Sequence, residues 1–220
     1  MADISYIGEI AAISTALCWT VTSLAFESAG KRVGSLQVNL IRLLLAFIFL
    51  SILSYFINGH FFPFNATASA WIWLMLSGVA GFLIGDLLLF QAFVVIGSRT
   101  SMLMMTLVPV FTAVLGKVIL GEELAVTAFA GMFLTLSGII FVVSGKKDPN
   151  SRPVTKYGFM LALGGAAGQA LGLILSKLGM KDYSAVSSTQ IRVIAGIIGF
   201  SIIFTMLKKW PLILSSVKNI

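Results

Sequence analysis

Charge is scarce in this chain. Only 10% of its 220 residues are Asp, Glu, Lys or Arg, against about 25% in soluble domains, and one soluble core cannot hide the apolar remainder. A water-soluble globular domain is excluded on that ground. Cysteine is represented by Cys18 alone, which excludes an internal disulfide and a thiolate metal cluster. The single histidine, His60, falls in a loop without neighbouring ligand residues, so no metal site is expected. No Gly-rich phosphate-binding loop occurs, which argues against direct ATP hydrolysis. Paired acids, histidine clusters and Ser/His sets are likewise missing from the apolar runs. Hydrolytic or metal chemistry inside a membrane needs such groups, so the chain is read as a non-enzyme without a cofactor.

What fills the chain instead is hydrocarbon: 58% of residues are hydrophobic and the mean hydropathy is +1.02. Seven apolar segments emerge, at Ile7 to Phe26, Leu36 to Ile57, Ala70 to Val95, Ser98 to Leu120, Leu124 to Ser144, Tyr157 to Leu178 and Ala185 to Leu207. About 20 helical residues cross about 30 Å of hydrocarbon, so each is long enough to span a bilayer. The runs are uninterrupted, whereas barrel strands would alternate with period two over about 10 residues. The fold expected is all-α, a polytopic helical membrane protein with seven spans present.

The net charge of +7 invites a nucleic-acid reading, but the fifteen Lys and Arg residues are dispersed among short loops, so no nucleic-acid partner is expected. They set topology instead. With Arg42 and Arg192 embedded, alternate loops give one side Lys31, Arg32, Arg99, Lys146, Lys147, Arg152, Lys156, Lys208, Lys209 and Lys218, and the other Lys117, Lys177 and Lys181. Ten against three puts the first side in the cytoplasm and the N-terminus outside the cell membrane.

The chain also repeats itself. Gly8 and Arg42 are separated as Gly158 and Arg192 are, and the offset of 150 residues matches Ala12 with Ala162, Ala16 with Ala166, Lys31 with Lys181, and Ser51-Ile52 with Ser201-Ile202. Five segments lie between the two starts, an odd number, so the second copy enters from the opposite side. This is an inverted-topology repeat, an architecture of secondary transporters. The units expected are residues 1–148, a five-span repeat, and 149–220, the first two spans of a truncated second copy. On this reading the chain lacks about three spans of a ten-span protein.

With the repeat in view, the sequence resembles the EamA family of the drug/metabolite transporter superfamily. The resemblance rests on Asn39-Leu40-Ile41-Arg42 and Thr189-Gln190-Ile191-Arg192, then Phe90-Gln91-Ala92-Phe93, Leu107-Val108-Pro109-Val110-Phe111, Leu120-Gly121-Glu122-Glu123-Leu124, and Gly131 with Gly138. It implies a ten-span exporter or importer with the substrate path between two five-span halves. The function expected is export of small organic metabolites such as amino acids or drugs by alternating access, with proton coupling. The partners are then a small-molecule substrate and the lipid bilayer. A non-transporting membrane subunit or scaffold is the alternative.

Asp86 is the first candidate residue, because a carboxylate inside an apolar segment costs about 2.5 to 3.5 kcal/mol on insertion scales and must face protein or water. Arg42 lies about 9 Å inside its span and Asp86 about 15 Å inside its own, both from the cytoplasmic end, so an ion pair is within an arginine's reach. Such a pair guards the pathway or couples it to protons; a purely structural pair, or an arginine snorkelling to the interface, is the alternative. Arg192 is the counterpart of Arg42 in the second copy. Pro109, central in its span, breaks the helix either to line a cavity or merely to pack. Gln91, Trp19 and Gln169 are further lining candidates, and Trp19 has no aromatic counterpart at Gln169. Gly164, Gly168 and Gly172 form one smooth stripe and Gly78, Gly81 and Gly85 another, suited to close helix contact. Glu122 and Glu123 are expected to cap the helix that follows them.

Overall fold

The computed structural model describes residues 6–144, 154–181 and 183–213. Every regular element among them is helical. Helices α1 (Ile7–Val33) and α2 (Ser35–Asn58) are followed by α3 (Ala68–Gly78), a π-helical segment (Val79–Gly85) and α4 (Asp86–Ile96), which run on without a break. Then come α5 (Ser98–Met105), α6 (Val108–Leu120), α7 (Val126–Ser144), α8 (Lys156–Gly179) and α9 (Ala185–Met206). Six stretches are long and apolar enough to cross a bilayer: Gly8–Val33, Ser35–Asn58, Ala68–Ile96, Ser98–Leu120, Lys156–Gly179 and Ala185–Met206. The seventh expected segment is α7, which counted over Val126–Phe141 is apolar but shorter. The all-α polytopic architecture is therefore the one observed. Hydrocarbon offers the backbone no hydrogen-bond partner, and a helix satisfies its own. The expected unit boundary at residues 148 and 149, and Lys146, Lys147, Arg152 and Lys218 of the charge count, lie outside the described residues.

Hydropathy ends the first span at Phe26, but α1 continues to Val33. Glu27 and Lys31, one turn apart, form an ion pair along this extension, and charged residues with long side chains sustain a helix as well as apolar ones do. Gly34 alone (φ 96°, ψ 147°) then reverses the chain into α2, and Gly97 alone (φ 85°, ψ 156°) reverses α4 into α5. That backbone region is essentially reserved for glycine.

Polar contacts tie these turns to one another. Glu27 accepts hydrogen bonds from the Ser98 N–H (2.7 Å) and hydroxyl (2.5 Å), so α1 caps the free donors at the start of α5. The start of α8 is on the same face, where Gly158 packs against Val95 and Ile96. On the other face Asn58, ending α2, donates to the Ser187 hydroxyl (3.2 Å) near the start of α9, and Glu122 pairs with Lys177 near the end of α8. Successive turns therefore alternate between two faces, as consecutive crossings require. The role expected of Glu122 is corrected here, since α7 starts only at Val126 and has no acidic residue in its first turn. Gly121 ends α6 in the left-handed conformation (φ 68°), and Glu122 folds back over Gly116 toward α8.

Helix α8 is the centre of the packing, with α3, the π segment, α4, α5 and α6 all against it, while α2 packs along α9. The glycine stripes meet at this centre. A Cβ added at Gly168 would stand 2.8 Å from the Gly85 Cα, and one at Gly172 would stand 3.0 Å from the Gly81 Cα and 3.2 Å from the Ser77 carbonyl. The Ser77 hydroxyl donates to the Gly172 carbonyl (2.6 Å), locking the two backbones together. Gly78 departs from the expected stripe, because it faces Arg192 and Ala195 of α9. Lipid tails are as apolar as leucine, so helices in a bilayer associate through such close contacts and hydrogen bonds. Between α5 and α6 the helix is interrupted at Thr106 and Leu107, two turns of tighter hydrogen bonding that precede Pro109 in the first turn of α6. The break thus lies just before the proline, where its ring would collide with the preceding carbonyl.

Replacing Gly168 by Ala forces the α8 and π-segment backbones apart and is expected to cost about 1–3 kcal/mol, as overpacking does. Gly131 of α7 has nothing within 4 Å of its Cβ position, and Gly131→Ala is expected to leave stability unchanged or raise it slightly. Thermal unfolding of the two variants in detergent or nanodiscs checks both.

Candidate functional site

Asp86 sits where the π segment passes into α4, and it is 1% exposed. Ten residues separate it from Ile96, so it lies about 15 Å from that end of its span. Both carboxylate oxygens are engaged. Oδ2 is ion-paired with Arg42 Nη2, and Oδ1 accepts from Gln169 Nε2 at 2.5 Å. The Asp86 main-chain carbonyl accepts from Asn39 Nδ2 (3.4 Å), whose Oδ1 accepts from the same Arg42 nitrogen (3.4 Å). Arg42 also lies over two aromatic rings, 4.9 Å from the centre of Phe90 and 5.8 Å from that of Phe26. Ring faces stabilise a desolvated guanidinium, and the paired oxygens offset the cost of a carboxylate at this depth.

The π segment and the glycine contact bring Gln169 to this position. The Gly81 carbonyl accepts from the Asp86 N–H five residues on, the extra-wide turn of a π helix, and also from Gln169 Nε2 (3.3 Å). Gly85 lets the backbone of α8 come so near that a Cβ there would be 3.2 Å from the Gln169 main-chain nitrogen. A side chain at Gly85 or Gly168 would carry the amide away from the carboxylate.

Arg192 approaches from the other side. It is 9% exposed, its guanidinium is 4.5 Å from the centre of the Phe82 ring, and it is close enough to Asp86 for electrostatic attraction. Its Nε has no hydrogen-bond partner among the described residues. Helices α2 and α9 are antiparallel: Gln190 donates to the Ser51 hydroxyl (2.8 Å), and Gly196 packs on Leu43. Arg42 and Arg192 are each seven residues from the start of their helices, about 10 Å from opposite faces. One carboxylate is thus paired with Arg42 from one side of the bundle, while Arg192 approaches it from the other without an ion pair among the described residues.

The sequence pattern of the EamA-like transporter family matches residues 6–144, more than half of the chain. The chain belongs to the EamA-like transporter family. Comparison with curated proteins found no match. The family is one of membrane transporters of small molecules and not of enzymes, so this EamA-like chain is a multi-pass membrane protein whose partners are a small-molecule substrate and the bilayer.

Of the residues singled out from sequence in this EamA-like chain, Asp86, Arg42, Gln169 and Arg192 come together. Gln91 lies five residues further along α4 and accepts from the Ser35 hydroxyl (2.7 Å) instead. Trp19 is 41% exposed on the sparsely packed part of α1, and Pro109 is exposed on α6; neither enters the hydrogen bonds around Asp86. Sequence reasoning missed Asn39 and the rings of Phe26, Phe82 and Phe90. Asn39 had a signal, since it lies one helical turn before Arg42 and shares its face. The aromatic residues had none, because phenylalanine in a membrane helix is ordinary.

Removing the charge of Arg42 leaves a buried carboxylate without its cation, and Arg42→Gln is expected to destabilise the fold by about 3–5 kcal/mol. The Arg42→Gln, Asp86→Asn double variant is expected to recover most of that loss. A double-mutant cycle on unfolding in nanodiscs measures the coupling, which must exceed the median for surface pairs of about 0–1 kcal/mol.

Proposed function

We propose that this EamA-like chain carries out secondary transport of a small organic metabolite, of amino-acid or drug-like size, in the export direction across the cell membrane by alternating access. Residues 1–148 and 149–220 act as inverted units that rock against each other about α2 and α9. Asp86 is the coupling carboxylate. The observation that carries the reading is the flanking of one buried carboxylate by Arg42 and Arg192 from opposite faces. When Asp86 is ionised it holds Arg42, and the side from which Arg42 enters is closed. A proton taken up by Asp86 neutralises it and weakens the pair with Arg42, so that the two units separate on that side. Release of the proton restores the pair. Gln169 holds the carboxylate in register through either state, because its amide can donate to the ionised form and accept from the protonated one. Membership of a transporter family and the close glycine contact of α8 with the π segment support this cycle.

Proteoliposomes containing the full chain, supplied with a metabolite panel and a pH-sensitive dye, test it. Wild type is expected to couple uptake or efflux of at least one metabolite to proton movement. Asp86→Asn, folded to the same extent, is expected to lose the proton movement entirely. Coupling that survives the substitution would reduce Asp86 to a structural partner of Arg42.

The same reading puts the turn holding Lys181 outside and the α1–α2 turn in the cytoplasm. In a Cys18→Ser background, Lys181→Cys is expected to react with an impermeant maleimide on intact cells, and Lys31→Cys only after permeabilisation. The reverse pattern would invert the orientation.

A further inference from the structure

A cleft of ≈ 730 Å³ opens on the face that holds the α2–α3, α6–α7 and α8–α9 turns, within the size range of small-molecule sites. Arg192 lines its inner part, and Lys177 and Lys181 line its mouth. Lys177 is ion-paired with Glu122, the acidic residue of the lining. Two cations, Lys181 and Arg192, are left without an ion pair among the described residues. Asp86, the carboxylate near Arg192, already uses one oxygen for Arg42 and the other for Gln169. Arg192 is therefore a nine-tenths buried residue in a cleft wall, with a ring face behind its guanidinium and an Nε that is buried without a hydrogen-bond partner. Burying an arginine this way is costly unless an anion completes it.

We infer that this cleft binds an organic oxyanion, with Arg192 as its anchoring cation and Lys181 as its attracting one; the inference rests on the transport reading above and names its substrate class. Leu120 and Leu173 form the apolar side of the cleft, which suits a ligand with a hydrocarbon or aromatic body beside its charge. The Thr189 hydroxyl, which donates to the Ala185 carbonyl (2.8 Å), keeps lone pairs that favour a ligand N–H or O–H. The guanidinium fork meets a carboxylate or phosphate with two parallel hydrogen bonds, which a neutral amide cannot accept.

The full chain in phosphatidylcholine nanodiscs, with phenylacetate as the probe and phenylacetamide as its neutral isostere, tests the site through the ligand-dependent rise in unfolding temperature. Phenylacetate is expected to stabilise wild type saturably and phenylacetamide to have no effect. Arg192→Gln is expected to weaken phenylacetate by at least about tenfold, as loss of a bidentate charged contact does. Arg192→Lys is expected to retain part of the affinity, and Lys181→Gln to weaken it by a few fold in a salt-dependent way. Lys181 is exposed, so that variant keeps the test valid should Arg192→Gln fail to fold. Equal stabilisation by the amide, or affinity unchanged in both Arg192→Gln and Lys181→Gln, overturns the inference. So does a site that takes lipid: phosphatidylglycerol would then stabilise wild type but not Arg192→Gln, and phenylacetate would do nothing. The readout needs no transport. Arg192-dependent binding without any metabolite movement in proteoliposomes would sink the transport reading and keep the anion site; transport with binding indifferent to Arg192 would do the opposite.

Discussion

A carboxylate in the middle of a hydrocarbon layer is tolerable only if each of its oxygens meets a donor, and this requirement of Asp86 organises the helices around it. One oxygen draws in Arg42 from α2 and the other draws in Gln169 from α8. Bringing Gln169 that close requires two backbones to touch, which only glycine at positions 85 and 168 allows. The wide π turn in turn presents the Gly81 carbonyl to both Asp86 and Gln169. Loss of any of these parts leaves a buried polar group unmatched, at a cost of about 1–3 kcal/mol for a neutral group and more for a charged one.

The same surfaces therefore hold the bundle together and enclose the Asp86 cluster. Half of the most apolar window of the Ala68–Ile96 stretch is buried, against 6% for α1, so the helix that carries Asp86 lies in the interior of this bundle. No hydrophobic drive separates protein from lipid tails here. The α3–α8 contact is held by the Ser77 hydroxyl and the glycine mesh, and the ends of α2 and α9 by Asn58, Ser184 and Ser187. Hydrogen bonds of this sort, about 0.6 kcal/mol each on average in membrane proteins, are individually weak and can be exchanged for others.

Much of this was legible in the sequence, and the pattern of success has a physical basis. Hydropathy and span length are local, so the crossings and the depth of Arg42 and Asp86 could be read from them. Glycine spacing gave the two stripes, though not that they would meet, nor that Gly78 would turn toward α9 instead. Contacts set by helix rotation were beyond reach: the approach of Arg192 to Asp86, the amide of Gln169, and the pairing of Glu122 with Lys177 all join residues distant in the chain. The π segment was hidden because one added residue per turn leaves composition untouched. Glu27 was passed over because it lies beyond the last apolar residue of its span, where hydropathy stops while the helix does not.

Helix α1 has a mechanical asymmetry. Its C-terminal part is gripped by α2, α4 and the Glu27 contact with Ser98, while residues 8–20 are exposed on every side. About 20 residues separate Glu27 from the far end, a rod of about 30 Å clamped near one tip. A rotation of about 10° at the clamp sweeps the other tip through about 5 Å. Whatever lies along that rod, lipid or protein, feels a subtle twist at the α4–α5 corner as a displacement the size of a side chain, and pushes back on the corner with the same leverage.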